Sequence, residues 1–279
     1  MENRRPLILI SNDDGYHARG LQCLIEMLRD KADLLVCAPE SARSGFSCAF
    51  SATSPLTLKL RRQADGVEVW SCSGTPVDCV KMALSELCGY RGTDDRHFMS
   101  RLSDGRWPDV VVGGINHGDN ASVNTHYSGT MGVTMEGCMK GIPSVAFSLC
   151  EHRDEADFSP LEKVVRIITQ RVLDEGLPKG ICLNVNFPIV VRDDGNPYGG
   201  YAGVKACRMA WGTWTKETVR CLHPRGYDYY WMVGEYQDEE SEAEDTDRWA
   251  LAHGFVSVTP TKVDVTGYEM LRQIKDWNL

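Results

Sequence analysis

Two adjacent carboxylates, Asp13 and Asp14, have the most specific chemistry in this 279-residue sequence. They follow the apolar run 7–10, which predicts a buried strand. Carboxylates held together at a strand end repel each other unless protons or a cation neutralise them. Mg²⁺ or Mn²⁺ would suit such oxygen ligands. Either residue could instead cap a helix N-terminus, so the dipeptide alone leaves both interpretations open.

Two further polar positions follow other apolar runs. Ser44 and Gly45 belong to a Ser/Gly-rich loop after the run 33–37, and such a loop leaves hydroxyl and N–H groups free to bind an anion or a metal. Asn116 follows the run 109–112 and offers a neutral oxygen ligand. Taken alone, the Ser/Gly-rich loop is more typical of an ordinary turn, and a turn would explain Asn116 equally well.

A third polar segment, Ser128-Gly129-Thr130, stands where a helical pattern begins. Backbone donors and the macrodipole at a helix start attract phosphate. The alternative is simple N-capping by Ser128. His17, His117 and His126 lie near these motifs, and we interpret them as loop residues rather than as a general acid.

The elements that must position these residues form a repeating pattern of apolar runs and amphipathic segments. This pattern predicts a mostly parallel α/β sheet with helices on both faces. Right-handed crossovers place all strand-to-helix loops at one edge of such a sheet, which is where ligands bind. We therefore expect the polar segments to meet there, with the donors needed for metal-assisted phosphoryl transfer. The six predicted strands are 7–10, 33–37, 67–70, 109–112, 142–149 and 181–187.

The last third of the chain has a different character. Residues 198–236 are rich in Trp, Tyr and β-branched residues, which predicts β-hairpins forming a smaller C-terminal arm. A terminal helix is expected over 266–277. We divide the chain into a metal- and phosphate-binding domain, 1–190, and a C-terminal part, 191–279, that serves oligomerisation. The run 238–247 contains seven acidic residues and no basic one, and it is expected to be a solvated, disordered loop.

Charge and cysteine content limit the possible partners. The net charge is −9, and it argues against binding to a nucleic-acid polymer or an anionic membrane. The sequence shows no signal peptide and no membrane span. Eleven cysteines without metal-binding spacing favour a reducing compartment. We therefore expect a cytoplasmic protein.

Several strings together resemble the SurE family of survival-protein nucleotidases, and they occur in family order along nearly the whole chain. The segment 121–126, ASVNTH, departs from the family pattern, which often has Gly and acidic residues there. The matching strings are LISNDDG (9–15), APESARSGFS (38–47), SGTPVDCV (73–80), GGIN (113–116), YSGTMG (127–132) with MEG (135–137), and TD…A…GFVSVTP (246–260).

The resemblance implies a Rossmann-like fold and a phosphomonoesterase that hydrolyses nucleoside 5′-monophosphates, and in some members 3′-monophosphates. It also implies one divalent ion, Mg²⁺ or Mn²⁺, and a homodimer or homotetramer that exchanges C-terminal elements. The attacking water would be held by the metal or activated by the Asp pair, and the sequence leaves both open. By the resemblance, the metal ligands are Asp13, Asp14, Ser44 and Asn116; the phosphate-binding residues are Gly45, Ser128, Gly129 and Thr130; and Asn12 and Asn120 support the site or contact substrate.

Other functional classes fit the residues less well. A receiver-like regulatory domain that binds Mg²⁺ without hydrolase activity needs an Asp after the third strand and a Lys after the fifth, where this chain has 71-SCS-73 and 148-SLC-150. A dinucleotide-binding oxidoreductase needs a glycine spacing that 113-GGINHG-118 lacks. Phosphatases of the haloacid dehalogenase type would have Asp-x-Asp rather than adjacent acids.

Overall fold

The computed structural model describes residues 4–90, 97–153, 155–189 and 200–277. Thirteen strands and six α-helices are found in these ranges. In chain order they are β1 (Leu7–Ser11), α1 (Arg19–Leu28), β2 (Asp33–Pro39), β3 (Leu58–Ala64), β4 (Val67–Cys72), α2 (Pro76–Met82), β5 (Val110–His117), α3 (Gly129–Met139), β6 (Ser144–Leu149), α4 (Glu162–Glu175), β7 (Ile181–Phe187), β8 (Gly203–Ala206), β9 (Gly212–Thr215), β10 (Thr218–Leu222), β11 (Asp228–Met232), β12 (Glu235–Asp238), α5 (Asp247–Ala252), β13 (Phe255–Lys262) and α6 (Tyr268–Ile274).

Nine strands form one sheet in the order β3-β4-β2-β1-β5-β6-β7-β13-β8. The six strands from β4 to β7 are parallel, whereas β3 and β13 run antiparallel to their neighbours β4 and β7. The predicted mostly parallel α/β fold is therefore confirmed. The strand order reverses between β1 and β5, so that the loops after these two strands lie at a topological switch point, the usual place for a ligand.

The alternation of side chains along β1 explains how both faces are covered. Ile8 and Ile10 pack in a buried cluster with residues of α1 and α4. Leu7 and Leu9 point to the other face, into a cluster with residues of α2 and α3. All five residues of β1 are buried. The central strand is thus packed on both faces, and this packing fixes the strand end from which the next loop starts.

The C-terminal part joins this sheet as well as forming hairpins. Two separate antiparallel pairs, β10–β11 and β9–β12, confirm the predicted hairpin arm. Strands β8 and β13 instead extend the main sheet. The predicted domain boundary falls within 190–199, outside the described residues, and remains a prediction. The terminal helix is confirmed as α6, shorter than expected.

The prediction that the acidic run 238–247 is disordered was wrong, whereas four of its seven acidic residues, Glu239, Glu242, Glu244 and Asp245, are exposed to solvent as predicted. Glu240 and Asp245 both form ion pairs with Arg208, at 2.8 and 2.9 Å. Asp247 is fully buried and accepts hydrogen bonds from the backbone N–H groups of Ser122 and Ala210. Thr246 caps α5. Opposite charge and backbone donors from distant segments therefore order this run.

Strand β3 was missed by the sequence analysis. Its residues are almost all exposed, so that it lacks the apolar alternation that marks a half-buried strand. It forms the antiparallel edge of the sheet beside β4.

Candidate active site

The loops after β1, β2 and β5 and the start of α3 meet at the switch point. A cleft of about 360 Å³ opens there, and its lining includes Asp13, Ser44, Gly45, Asn116 and Ser128. Asn120 also lines this cleft. Residues that are more than 100 positions apart in the sequence thus share one small volume, as the parallel topology predicts.

Asp13 lies at the centre of the site and is only 4% exposed. Its Oδ1 accepts a hydrogen bond from the Thr130 hydroxyl at 2.6 Å. Burial, together with the neighbouring charge of Asp14, raises the pKa of Asp13 to about 6, although hydrogen bonds from Thr130 and Gly129 act to lower it. A cation beside this carboxyl group would stabilise its ionised form.

Asp14 does not line the cleft surface, but it provides the clearest test of whether a metal fits. Its Oδ2 is buried and has no hydrogen-bond partner among the described residues. Burial raises the pKa of this carboxyl, while the backbone N–H of His117 donates to it and lowers the pKa. An unsatisfied buried oxygen is costly, and a divalent cation would satisfy it. The donor set of two carboxylates, an amide and a hydroxyl also suits a hard ion.

Asn116 is held with its oxygen towards the Thr130 hydroxyl that also bonds to Asp13. Its Nδ2 donates to the backbone carbonyls of His117 and Gly118, at 3.0 and 2.8 Å. This leaves Oδ1 on the side of Thr130, whose hydroxyl lies 3.3 Å away. The register between β5 and β6 shifts just before Asn116. The end of β5 therefore presents an acceptor rather than a donor to the acids, as a metal ligand requires.

Ser44 and Gly45 lie on an exposed loop that is fastened at both ends. The Arg43 N–H donates to the Asp13 carbonyl at 2.6 Å, and the Ser47 N–H donates to the Tyr127 carbonyl at 3.2 Å. Gly45 has a φ of +78°, a conformation that glycine adopts at little cost. The loop thus holds its small residues above Asp13, beside the start of α3.

The SGTPVDC block (73–79) holds this loop through hydrogen bonds. Thr75 caps α2 in a capping box with Asp78. The Asp78 carboxylate also accepts hydrogen bonds from the Ser51 N–H and hydroxyl, at 2.9 and 2.7 Å, and the Thr75 hydroxyl donates to the Ala49 carbonyl. The block therefore positions the loop that carries Ser44 and Gly45.

The start of α3 is the predicted phosphate-binding segment. Ser128 is the N-cap, because its hydroxyl accepts from the Met131 N–H at 3.0 Å. Gly129 lies directly against Asp13, and a Cβ at this position would come within 2.7 Å of the Asp13 Cβ. The helix N-terminus and Asp13 are therefore in contact, which only glycine at position 129 allows.

Asn12 and Asn120 act in the surroundings of the site. Asn12 is buried, and its amide closes the NDDG loop through hydrogen bonds to both backbone groups of Gly15. Asn120 bonds through its Nδ2 to the Ser148 hydroxyl and through its backbone N–H to Asn186 Oδ1. Asn12 thus shapes the acid loop, and Asn120 fixes the cleft wall.

Several cleft residues were missed by the sequence analysis. Trp214, Tyr236 and Arg248 from the C-terminal part line the cleft, together with Asp119 and His152. Trp214 and Tyr236 have only the general aromatic enrichment of 198–236 as a sequence signal. Arg248 lies in the TD…A…GFVSVTP block (246–260) but was not singled out there.

Among the residues that the structure describes, no group of three or more His, Cys, Asp or Glu side chains could hold a metal. A metal at the Asp pair would therefore take its other protein ligands from neutral oxygens, such as those of Ser44 and Asn116 in the cleft lining. No helix of the described ranges is long and apolar enough to cross a membrane.

Comparison with known proteins agrees with this fold. A family model described as "Survival protein SurE" matches residues 8–216. The 5′-nucleotidase SurE of Phocaeicola vulgatus is 49% identical over 279 residues, covering 100% of this chain and 99% of its own length. The 5′-nucleotidase SurE of Bacteroides fragilis is 44% identical, with 100% of both chains covered. The crystal structure of the SurE protein from Aquifex aeolicus matches with a TM-score of 0.75 and 33% identity, covering 97% of this chain and 98% of that one. The chain belongs to the SurE family.

Proposed function

We propose that this protein is a 5′-nucleotidase, a divalent-metal-dependent phosphomonoesterase that hydrolyses nucleoside 5′-monophosphates to nucleoside and phosphate. The observation that carries the proposal is that the buried Asp13, next to Asp14, contacts a helix N-terminus at the edge of a cleft. The 5′-nucleotidase names of the full-length relatives support the same activity.

One Mg²⁺ or Mn²⁺ ion would be held by Asp13, Asp14, Ser44 and Asn116. When bound, the ion would neutralise the acid pair and polarise the phosphate ester. The unpartnered Oδ2 of Asp14 and the fixed orientation of Asn116 support this ligand set.

The protein's own groups would bind and orient the phosphate. The first turn of α3, which contains Gly129 and Thr130, would receive the phosphate, because the helix dipole favours an anion there. The small side chains at 44–45 let backbone N–H groups approach the same phosphate. The Thr130 hydroxyl would keep the Asp13 carboxylate in place through the whole reaction.

The test is release of inorganic phosphate from 5′-AMP and 3′-AMP, measured with EDTA and again after addition of Mg²⁺ or Mn²⁺. We expect hydrolysis of 5′-AMP that EDTA abolishes and either metal restores. The 3′-AMP arm measures whether 3′-monophosphates are substrates too. Full activity in EDTA would contradict the metal dependence, and no release from 5′-AMP under any condition would contradict the activity.

We also propose that the chain forms a homodimer or homotetramer in the cytoplasm. The assembly is supported by large apolar side chains that are exposed on the β10–β11 pair, such as Trp231 at 62% and Met232 at 74%, and by α6, which has no buried residue.

The cytoplasmic location is supported by the cysteines. All eleven are free thiols, which supports a reducing compartment.

A further inference from the structure

The cleft has two chemically different ends. One end carries the acids and small residues of the loops after β1, β2 and β5. The other end carries Trp214 from β9, Tyr236 from β12 and Arg248 from α5. A phosphate needs only the first end, whereas a cleft of about 360 Å³ is in the range of pockets that enclose a whole small molecule.

The aromatic end is built in advance. Trp214 and Tyr236 face each other across the β9–β12 pair, with ring centroids 5.8 Å apart at an interplanar angle of 69°. The Trp214 Nε1 donates to Asn124 Oδ1 at 2.9 Å, and the Tyr236 hydroxyl bonds to the Ser122 hydroxyl. Both rings are therefore fixed by the same short helical turn, Ser122–His126, that leads into the phosphate segment.

Arg248 is held as part of this wall rather than as a free cation. Its guanidinium lies 4.5 Å from the Tyr236 ring centroid and forms an ion pair with Asp119 at 2.9 Å. Because Asp119 neutralises the charge of Arg248, the guanidinium would contact a ligand mainly through its flat face. It would attract a distant anion only weakly.

Trp214 occupies a special place because it lines two hollows. Together with Tyr127 it forms part of this cleft and of an adjoining hollow of about 550 Å³. Gly234 packs against the indole, where a Cβ would lie 2.7 Å from Cε3. Tyr127, which is 60% exposed, directly precedes the Ser128 cap. An indole near the phosphate segment is thus supported from behind and is reachable from the cleft.

We propose that Trp214, Tyr236 and Arg248 form the nucleoside subsite of this cleft, with the base stacked on the Trp214 indole. This inference rests on the proposed function and adds which residues distinguish a nucleotide from a simpler phosphate ester. Stacking on an aromatic ring tolerates any base, because every base has a π face. The hydrogen-bonding groups of Trp214 and Tyr236 are already used within the protein, so that the wall favours flat rings without selecting one base.

The kinetic test compares 5′-AMP with ribose 5-phosphate, which carries the same ester but no base. In Trp214→Ala we expect KM for 5′-AMP to rise about tenfold or more, with kcat changed by less than about threefold. Kinetics on ribose 5-phosphate should stay as in the unsubstituted protein. Trp214→Phe keeps a ring and should retain most of the affinity for 5′-AMP.

Trp211→Ala is the matched control, since this indole is three residues away, 60% exposed and outside the cleft lining. It should leave both substrates unaffected. Equal loss on both substrates in Trp214→Ala would show a merely structural role and overturn the proposal. An unchanged KM for 5′-AMP would overturn it as well.

Binding of adenosine, measured by calorimetry without metal, separates this proposal from the proposed function. We expect adenosine to bind the unsubstituted protein and Trp211→Ala, and to bind Trp214→Ala at least about tenfold more weakly. If no phosphate ester is hydrolysed but this pattern of adenosine binding holds, the proposed function fails and the subsite stands. Equal affinity for adenosine in all three proteins would overturn the subsite.

Discussion

At the level of single residues, a small number of neighbouring groups control the ionisation of Asp13. Burial and the charge of Asp14 oppose its ionisation, whereas the Thr130 hydroxyl and the Gly129 N–H favour it. The Thr130 hydroxyl reaches both Asp13 and Asn116. Thr130 therefore has a positioning role between two proposed metal ligands.

Thr130→Val tests this role because it removes only the hydroxyl. We expect kcat/KM for 5′-AMP to fall about tenfold, the cost of one hydrogen bond to a charged group. Thr134→Val is the matched control, since the Thr134 hydroxyl bonds to the Met131 carbonyl within the same helix. If the two variants lose activity equally, the effect is one of helix packing and the role of Thr130 is refuted.

At the level of secondary-structure elements, the site combines the ends of buried strands with the loop at 41–51, which needs hydrogen bonds to other segments to keep its position. The strands β1 and β5 end in the acids and the amide, and α3 begins beside them. The loop at 41–51 has no regular structure, and it is fixed by hydrogen bonds to Asp78, Thr75 and the turn before α3. Part of the stability of the active loop is therefore electrostatic and must depend on pH.

Asp78→Asn measures this dependence. Burial raises the pKa of Asp78, but the hydrogen bonds from Ser51 and Thr75 outweigh it and hold the pKa below its ordinary value of 3.8. The stabilisation by the carboxylate is thus complete above the unfolded pKa and is lost as pH falls through the lower folded pKa. At pH 7 we expect the variant to unfold with about 1–3 kcal/mol less free energy, and we expect this difference to shrink towards pH 3.

Urea unfolding of both proteins at the two pH values provides the measurement. A difference of the same size at pH 3 and pH 7 would show that the Asp78 charge does not hold the loop.

At the scale of the whole molecule, the C-terminal part has two tasks in this account. Its strands β8 and β13 extend the main sheet. Its β9–β12 pair and α5 provide residues that line the cleft. Its remaining elements, the β10–β11 pair and α6, expose large apolar side chains that a monomer would leave in water. In our proposals, assembly and substrate recognition would thus depend on neighbouring strands of one arm.

Light scattering coupled to size-exclusion chromatography tests the assembly. We expect a mass of two or four times the 31.1 kDa of the chain. Trp231→Asp, on the exposed pair, should lower the mass because a buried charge in an apolar interface is unfavourable. Tyr90→Asp alters another half-exposed aromatic residue, far from this arm in the sequence, and should leave the mass unchanged. A mass of one chain for the unsubstituted protein would contradict the assembly.

The core of the fold and the acid end of the site could be predicted from the sequence because both depend on local patterns. Buried parallel strands such as β1 are continuous apolar runs, and their topology alone brings Asp13 and Asn116 together. The strand β3 was missed since its exposed side chains carry no alternation. The ordering of the acidic run depends on Arg208 and on donors at Ser122, which are distant in sequence. For the same reason Trp214, Tyr236 and Arg248 became visible only in three dimensions.

The most direct test of the central claim is release of phosphate from 5′-AMP by Asp13→Asn, compared with the unsubstituted protein at saturating Mn²⁺ and at saturating Mg²⁺. The substitution keeps the shape of the side chain but removes the charge that the proposed ion requires. We predict that metal-dependent release falls by at least about a hundredfold, as expected when a group that stabilises transition-state charge is lost, while thermal unfolding stays cooperative. Activity in Asp13→Asn equal to that of the unsubstituted protein would contradict the assignment of the Asp13–Asp14 pair as the metal site of a nucleotidase.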